Sequence, residues 1–260
     1  FVVGKLRGIP SFARITGSYI LKWIHSPLRL WLVRFDEYIA FKLPSTKLII
    51  TKDGSMSTTD IHEEVGIPLD RIWLIRNGID KQAFQKQEGK PVARARLGLP
   101  QDKQIVLSVS QLVDLKRVDR LIDAIPRVTQ QCPSALFIVV GDGPARSELE
   151  ARVRELQIES YVRFEGFVSR SSLPGYYRSA DVFAAFYPYS NVSNSLLEAM
   201  LSGNAVVTLN NGYTGEVVKH LDNGYLVEPG NLDEIPAALV RLLTDDELRE
   251  RLGRAAADYA

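Results

Sequence analysis

The sequence predicts a doubly wound α/β protein built on parallel sheet, and two observations carry that prediction. Short apolar, β-branched runs recur at 47–51, 72–76, 105–110, 136–141, 162–167, 182–186 and 205–209, and most are separated by stretches of helical periodicity. The runs are apolar at successive positions rather than alternate ones, as in strands covered by helices on both faces.

Taken in order, 47–51 and 72–76 are the first strands. Asn77-Gly78 reads as a turn, and 88–91, polar and carrying Pro91, as a surface connection. The strand at 105–110 leads to a helix over 118–131, apolar at Val118, Leu121, Ile122, Ile125 and Val128 and stopped by Pro133. After the strand at 136–141 comes a helix over 147–157, then the strand at 162–167. The strand at 182–186 precedes a helix over 196–201 that ends at Gly203. The last strand, 205–209, is followed by a helical pair over 234–243 and 246–259. The main boundary falls near residue 70.

A chain of 260 residues holds one large domain, or one domain and part of another. Its 45% hydrophobic and 24% charged residues are ordinary for a soluble globular protein and exclude disordered, collagen-like and disulfide-stapled classes. Cys132 is the only cysteine, so no internal disulfide or cysteine cluster can form and a reducing, cytoplasmic setting is expected. It sits beside Pro133 and reads as inert. His25, His62 and His220 lack ligand spacing, and no metal site is expected.

The net charge of +1 hides an asymmetry: residues 1–47 carry eight basic and two acidic side chains, net +6, which leaves −5 for the rest. That balance argues against a nucleic-acid partner and confines any anionic partner to the N-terminal portion. No run of about 18 apolar residues marks a membrane span. Tyr19–Phe35 interleaves apolar residues with Lys22, Arg29 and Arg34. It suits peripheral contact with the inner face of a membrane, or, interrupted by Pro27, core helices of a first domain. The chain opens on Phe1 with no initiator methionine, so a preceding segment is expected.

Ligands of open α/β sheets bind beyond the carboxyl ends of the strands. Three loops leave such ends here: 111–117, 141–144 and 187–195. Locally their residues have plain readings. Gly141 and Gly143 make an ordinary strand-to-helix turn without a full dinucleotide fingerprint, Lys116 is a turn lysine, and Ser195-Leu196-Leu197-Glu198 fits a capping box.

Taken together, several segments are similar to the group-1, or family 4, glycosyltransferases of the GT-B fold. They are Asn77-Gly78-Ile79-Asp80 with Phe84, the 108–116 loop, Val140-Gly141-Asp142-Gly143-Pro144, Phe164-Glu165-Gly166-Phe167-Val168, the 176–182 stretch, Leu197-Glu198-Ala199-Met200, Gly203 and Asn223-Gly224-Tyr225-Leu226-Val227. The resemblance covers roughly 65–250. It implies two Rossmann-like doubly wound domains, the first incomplete: an acceptor-domain remnant over 1–70, a nucleotide-sugar donor domain over 71–235, and C-terminal helices over 236–260 packing on it.

By the same resemblance Lys116 contacts the donor diphosphate, Glu198 holds the ribose hydroxyls, and the backbone of Gly166, Phe167 and Val168 borders the base, with Gly141 nearby. The chemistry suits these types. Breaking a sugar–phosphate bond leaves negative charge on a nucleoside diphosphate, which preorganised cations and N–H dipoles stabilise. Lysine serves phosphate as a point charge, and the amides of Asn194, Ser195 and Leu196 open a helix where anions are favoured.

Two positions depart from the family pattern. Gln111 stands where an arginine is usual, leaving Arg117 as the candidate second cation. Ser190 stands where a glutamate contacts the transferred sugar, with Asn191 beside it as a further polar contact. The implied activity is retaining, metal-independent hexosyl transfer from a nucleotide-diphosphate sugar to a saccharide or lipid-linked acceptor, in cell-envelope polysaccharide synthesis. No cofactor beyond the donor substrate is implied and no catalytic residue is assigned. With half the cleft missing, the isolated chain is expected to lack turnover. The competing readings are a degenerate transferase that binds a nucleotide or glycan without catalysis, and a GT-B nucleotide-sugar epimerase, whose acid/base residues are not found.

Overall fold

The computed structural model describes residues 2–15, 39, 41, 43–51, 61–63, 66–75, 78–85, 88–188 and 192–260. The chain forms two compact units, Phe1–Gly78 and Ile79–Ala260. This division lies beyond the boundary read from the sequence because 72–75, assigned there to the second domain, pairs into the sheet of the first unit. That unit has a short helix, α1 (Val2–Leu6), and three parallel strands, β1 (Phe12–Ile15), β2 (Lys47–Thr51) and β3 (Ile72–Ile75), in that spatial order. Leu48, Ile50 and Ile72 turn to one face and pack with Phe41, Ile61 and Ile67. The basic segment Tyr19–Phe35 lies outside the described residues.

The second unit begins with two helices, α2 (Lys81–Gln85) and α3 (Lys90–Arg96). Here the structure corrects the sequence, since 88–91 is no mere connection: Pro91 sits in the first turn of α3, where its fixed φ and missing N–H do no harm. Arg94, 5% exposed, anchors this helix by donating to Ser179 O, Gln101 O, Lys103 O and the Asp181 carboxylate.

Six parallel strands follow: β4 (Gln104–Val109), β5 (Ala135–Val140), β6 (Val162–Gly166), β7 (Val182–Ala185), β8 (Ala205–Leu209) and β9 (Tyr225–Val227). Their spatial order is β6-β5-β4-β7-β8-β9. The intervening helices are α4 (Val118–Thr129), α5 (Arg146–Glu155), α6 (Leu173–Ser179), α7 (Asn194–Leu201) and α8 (Thr214–Val217), and α9 (Glu234–Thr244) and α10 (Asp246–Tyr259) close the unit. In the unit's own count the order is 3-2-1-4-5-6, the Rossmann arrangement, whose winding reverses between β4 and β7.

Successive strand residues feed opposite layers. Val106, Phe137, Val139, Val182, Ala184 and Val207 pack under α4, α5, α9 and α10. Ile105, Leu107, Ile138, Val140, Phe183 and Val206 pack under α6 and α7 together with Phe84. Helix α10 serves both layers, giving Leu248 and Leu252 to the first and Ala256 to the second. The covered parallel sheet predicted from the unbroken apolar runs is therefore present.

Candidate functional site

At the winding reversal the loops after β4, β5, β6 and β7 enclose a cavity of about 590 Å³, lined by Ser110, Gln111, Lys116, Gly141, Asp142, Phe167, Val168, Leu173, Tyr187, Asn194, Ser195 and Glu198 among others. Its volume lies within the roughly 300–1,000 Å³ of small-molecule sites.

The first two loops are bound to each other through backbone. Ser110 N donates to Val140 O (3.1 Å), Leu112 N to Asp142 O (2.9 Å) and Ala145 N to Leu112 O (3.0 Å). This approach explains Gly141: its φ is 133°, and a Cβ there would lie 1.8 Å from Ser110 O. Between β5 and β6 the register slips, so that Val139 faces Phe164 but Val140 faces Gly166. Gly166, at φ 70° and buried, turns the chain there without itself lining the cavity, and Phe167 emerges beyond it 83% exposed.

On the β4 side a single 3₁₀ turn, Asp114–Lys116, carries Lys116, whose ammonium lies 4.2 Å from the centre of the Tyr187 ring, a cation–π contact. Arg117, the candidate second cation, is not at the cavity. Its left-handed backbone (φ 47°) joins the 3₁₀ turn to α4, and its guanidinium is bound by Asp119 through Nε (3.0 Å) and Nη2 (2.7 Å). Gln111 does line the cavity and is exposed. Among the described residues Lys116 is the one cationic side chain in that lining.

Helix α7 brings its N-terminus to the cavity through Asn194 and Ser195. The capping-box reading is overturned. The helix begins earlier than predicted, and its cap is Ser193, whose Oγ accepts from Leu196 N at 3.3 Å and lies 2.9 Å from Ser195 Oγ. Leu196 is wholly buried and its amide is used by the cap, so of the three helix-opening amides this one is spoken for.

Glu198 does not reach back to the cap. Its side chain, 4% exposed, accepts a hydrogen bond at Oε2 from the Tyr177 hydroxyl of α6 (3.0 Å) while also lining the cavity. Burial pushes its carboxyl above the usual range, against the Tyr177 hydrogen bond and the charge of Arg170, which pull it down. Burial, then the adjacent Glu198 charge and hydrogen bond, raise the Tyr177 phenol well above its usual value. Ser190 and Asn191 lie outside the described residues.

The cavity thus brings together Lys116, Gln111, Gly141, Phe167, Val168, Asn194, Ser195 and Glu198, and its lining leaves out Arg117, Gly166 and Leu196. Sequence reasoning missed Tyr177, Tyr187 and Ser193 as parts of the site. Ser193 carried a signal, an N-cap residue three before Leu196. Tyr187 opens the 187–195 loop and Tyr177 lies in the 176–182 stretch, but neither was singled out, since an aromatic beside an apolar strand or helix face reads as core.

A cavity at the switch point of a 3-2-1-4-5-6 sheet, lined by a lysine, a buried carboxylate and a helix N-terminus, defines a Rossmann-like ligand-binding unit. Residues 89–259 match the family described as glycosyl transferases group 1. The chain belongs to that family. It is 33% identical over 186 residues to an uncharacterized glycosyltransferase of Methanocaldococcus jannaschii, covering 70% of this chain and 47% of that protein. It is 29% identical over 195 residues to a GDP-mannose-dependent alpha-(1-6)-phosphatidylinositol monomannoside mannosyltransferase of Mycobacterium tuberculosis, covering 70% of this chain and 49% of that one. The chain spans about half the length of these curated relatives. Its fold superposes on Anabaena Alr3699/HepE, solved with UDP and glucose, with TM-score 0.80 at 23% identity, over 99% of this chain and 68% of that one. It also superposes on WaaG, a glycosyltransferase of lipopolysaccharide biosynthesis, with TM-score 0.79 at 20% identity, over 96% and 71%. The fold is the GT-B one.

Proposed function

We propose that the second unit binds a nucleotide-diphosphate sugar, and that the whole protein transfers the sugar to a saccharide or lipid-linked acceptor with retention of anomeric configuration and without a bound metal. The observation that carries the reading is the presence of Glu198 and Lys116 in the lining of one switch-point cavity. A carboxylate sunk to 4% exposure burdens the fold and is matched to a ligand that offers it hydroxyls; a ribose does so. Lys116 and the N-terminus of α7 then face the diphosphate, whose charge grows as the glycosidic bond breaks. Phe167 and Val168 offer an apolar edge for the base. Relatives that use GDP-mannose, and a structural neighbour holding UDP, make UDP and GDP the first nucleotides to try.

A second reading has one specific observation in its favour. Gln111 replaces a cation and Arg117 is committed to Asp119, so the cavity wall holds a single cationic side chain among the described residues. A nucleotide-binding protein without transfer fits that wall as well.

Thermal denaturation with UDP, GDP, ADP and dTDP tests the donor site, because a ligand at about 100 times its Kd adds about 2.7 kcal/mol. No stabilisation by any of the four would sink the reading. With the nucleotide that binds, Lys116→Ala is expected to lose about 1.5–3 kcal/mol of binding, the worth of a hydrogen bond to a charged group. Sugar release or transfer by the protein, followed by NMR of the anomeric centre, separates a retaining transferase from the binding-only alternative.

A further inference from the structure

We propose that Tyr177 is a positioning residue for nucleotide binding: its hydroxyl, donated to Oε2, fixes the Glu198 carboxylate so that Oε1 is turned to the ribose. The proposal rests on the donor-site reading above. Tyr177 is fully buried in α6, and its ring is held edge-on by Phe84 at 5.7 Å and tilted against Phe183 at 6.0 Å. The hydroxyl therefore reaches Glu198 from a rigid aromatic platform, at 3.0 Å. Only one carboxylate oxygen is engaged in this way. Oε1 has no hydrogen-bond partner among the described residues, while the Glu198 side chain lines the cavity.

A carboxylate with one oxygen pinned keeps a single orientation and presents the other in a fixed direction, so less freedom is lost when a ligand arrives. The same hydrogen bond favours the ionised form in a setting whose burial disfavours it. Two groups act on Glu198 in this sense, the Tyr177 hydroxyl from α6 and the charge of Arg170 from the loop before it. Nucleotide affinity should accordingly fall toward acid as Glu198 takes up its proton. Removing the hydroxyl moves that fall to higher pH.

The test is calorimetric titration of the intact chain with UDP and GDP across the acid-to-neutral range, for wild type, Tyr177→Phe, Glu198→Ala, the double variant and Phe84→Leu. Tyr177→Phe keeps the ring and should weaken binding about five- to tenfold, the range a net hydrogen bond supplies, and shift the acid limb upward. In the Glu198→Ala background it should add nothing, because the group it positions is gone. Phe84→Leu loosens the packing but leaves the hydroxyl, so it should lower the melting temperature and leave the acid limb where it was. A Tyr177→Phe protein with wild-type affinity and pH profile overturns the proposal while leaving the donor site standing. So does an equal loss with and without Glu198, or an acid limb that Phe84→Leu moves as far. Absence of binding by the wild type overturns the donor site and this role together.

Discussion

Glu198 shows most directly what a binding site asks of one residue. Its carboxyl is raised by burial, so the folded chain holds a proton there more tightly than the unfolded chain, whose value is near 4.5. Linkage then fixes the sign: as pH falls from the raised folded value to about 4.5, the group's burden on the fold is progressively lifted, and at neutral pH it is fully present. Glu198→Gln is therefore expected to raise stability at neutral pH by roughly 0.5–2 kcal/mol, the gain typical of relieving a functional-site burden, with the advantage fading in acid. Chemical denaturation at two pH values checks this, and a less stable variant at neutral pH would refute it. At this scale the sequence identified Lys116 and Glu198, which the fold sets on one cavity. It did not foresee that Arg117 is turned to Asp119, two residues away, instead of the cavity. Nor could it foresee Tyr177, because the contact joins residues 21 positions apart on two helices.

Among the elements, the strands were legible and their neighbours less so. All seven apolar runs are strands, to within a residue or so at each end. β1 and β9 were missed because Arg14 interrupts the apolar run of the first and the second is only three residues long. α3 was hidden by Pro91, and the start of α7 by a choice between Ser193 and Ser195 that only geometry resolves. The glycines of the site read as a turn, whereas the structure makes Gly141 a point of backbone contact. Gly141→Ala would set a methyl 1.8 Å from Ser110 O and is expected to cost at least about 3 kcal/mol and to weaken nucleotide binding, measured by denaturation and calorimetry. In α10, Gly253 lies against the turn after α7, where a Cβ would meet Gly203 O at 2.3 Å. Alanine gains up to about 1 kcal/mol of helix propensity over glycine, yet Gly253→Ala is expected to lose about 1–3 kcal/mol net because the added methyl has backbone to displace. A rise in melting temperature would show that propensity dominates.

For the whole molecule, the doubly wound class followed from the apolar runs, while the division of the chain did not, because β3 looks the same whichever sheet it joins. Every described residue of the cavity lies between 109 and 198, and both large apolar layers lie within the second unit. Residues 79–260 produced alone are thus expected to unfold cooperatively and to bind the same nucleotide with affinity within about threefold of the intact chain, since additivity holds for separate sites. Loss of cooperative unfolding in that piece would show that the first unit completes the core. Helix α10 adds a consequence for biosynthesis. It is made after all six strands, and it inserts into both layers. A nascent chain halted before Leu248 carries six strands whose two apolar coats are each short of residues, a state in which exposed surface invites aggregation. Release of the seam-closing helix from the ribosome is then the event that commits the domain, and a force profile of stalled chains should show its main folding peak only once Ala256 has cleared the exit tunnel.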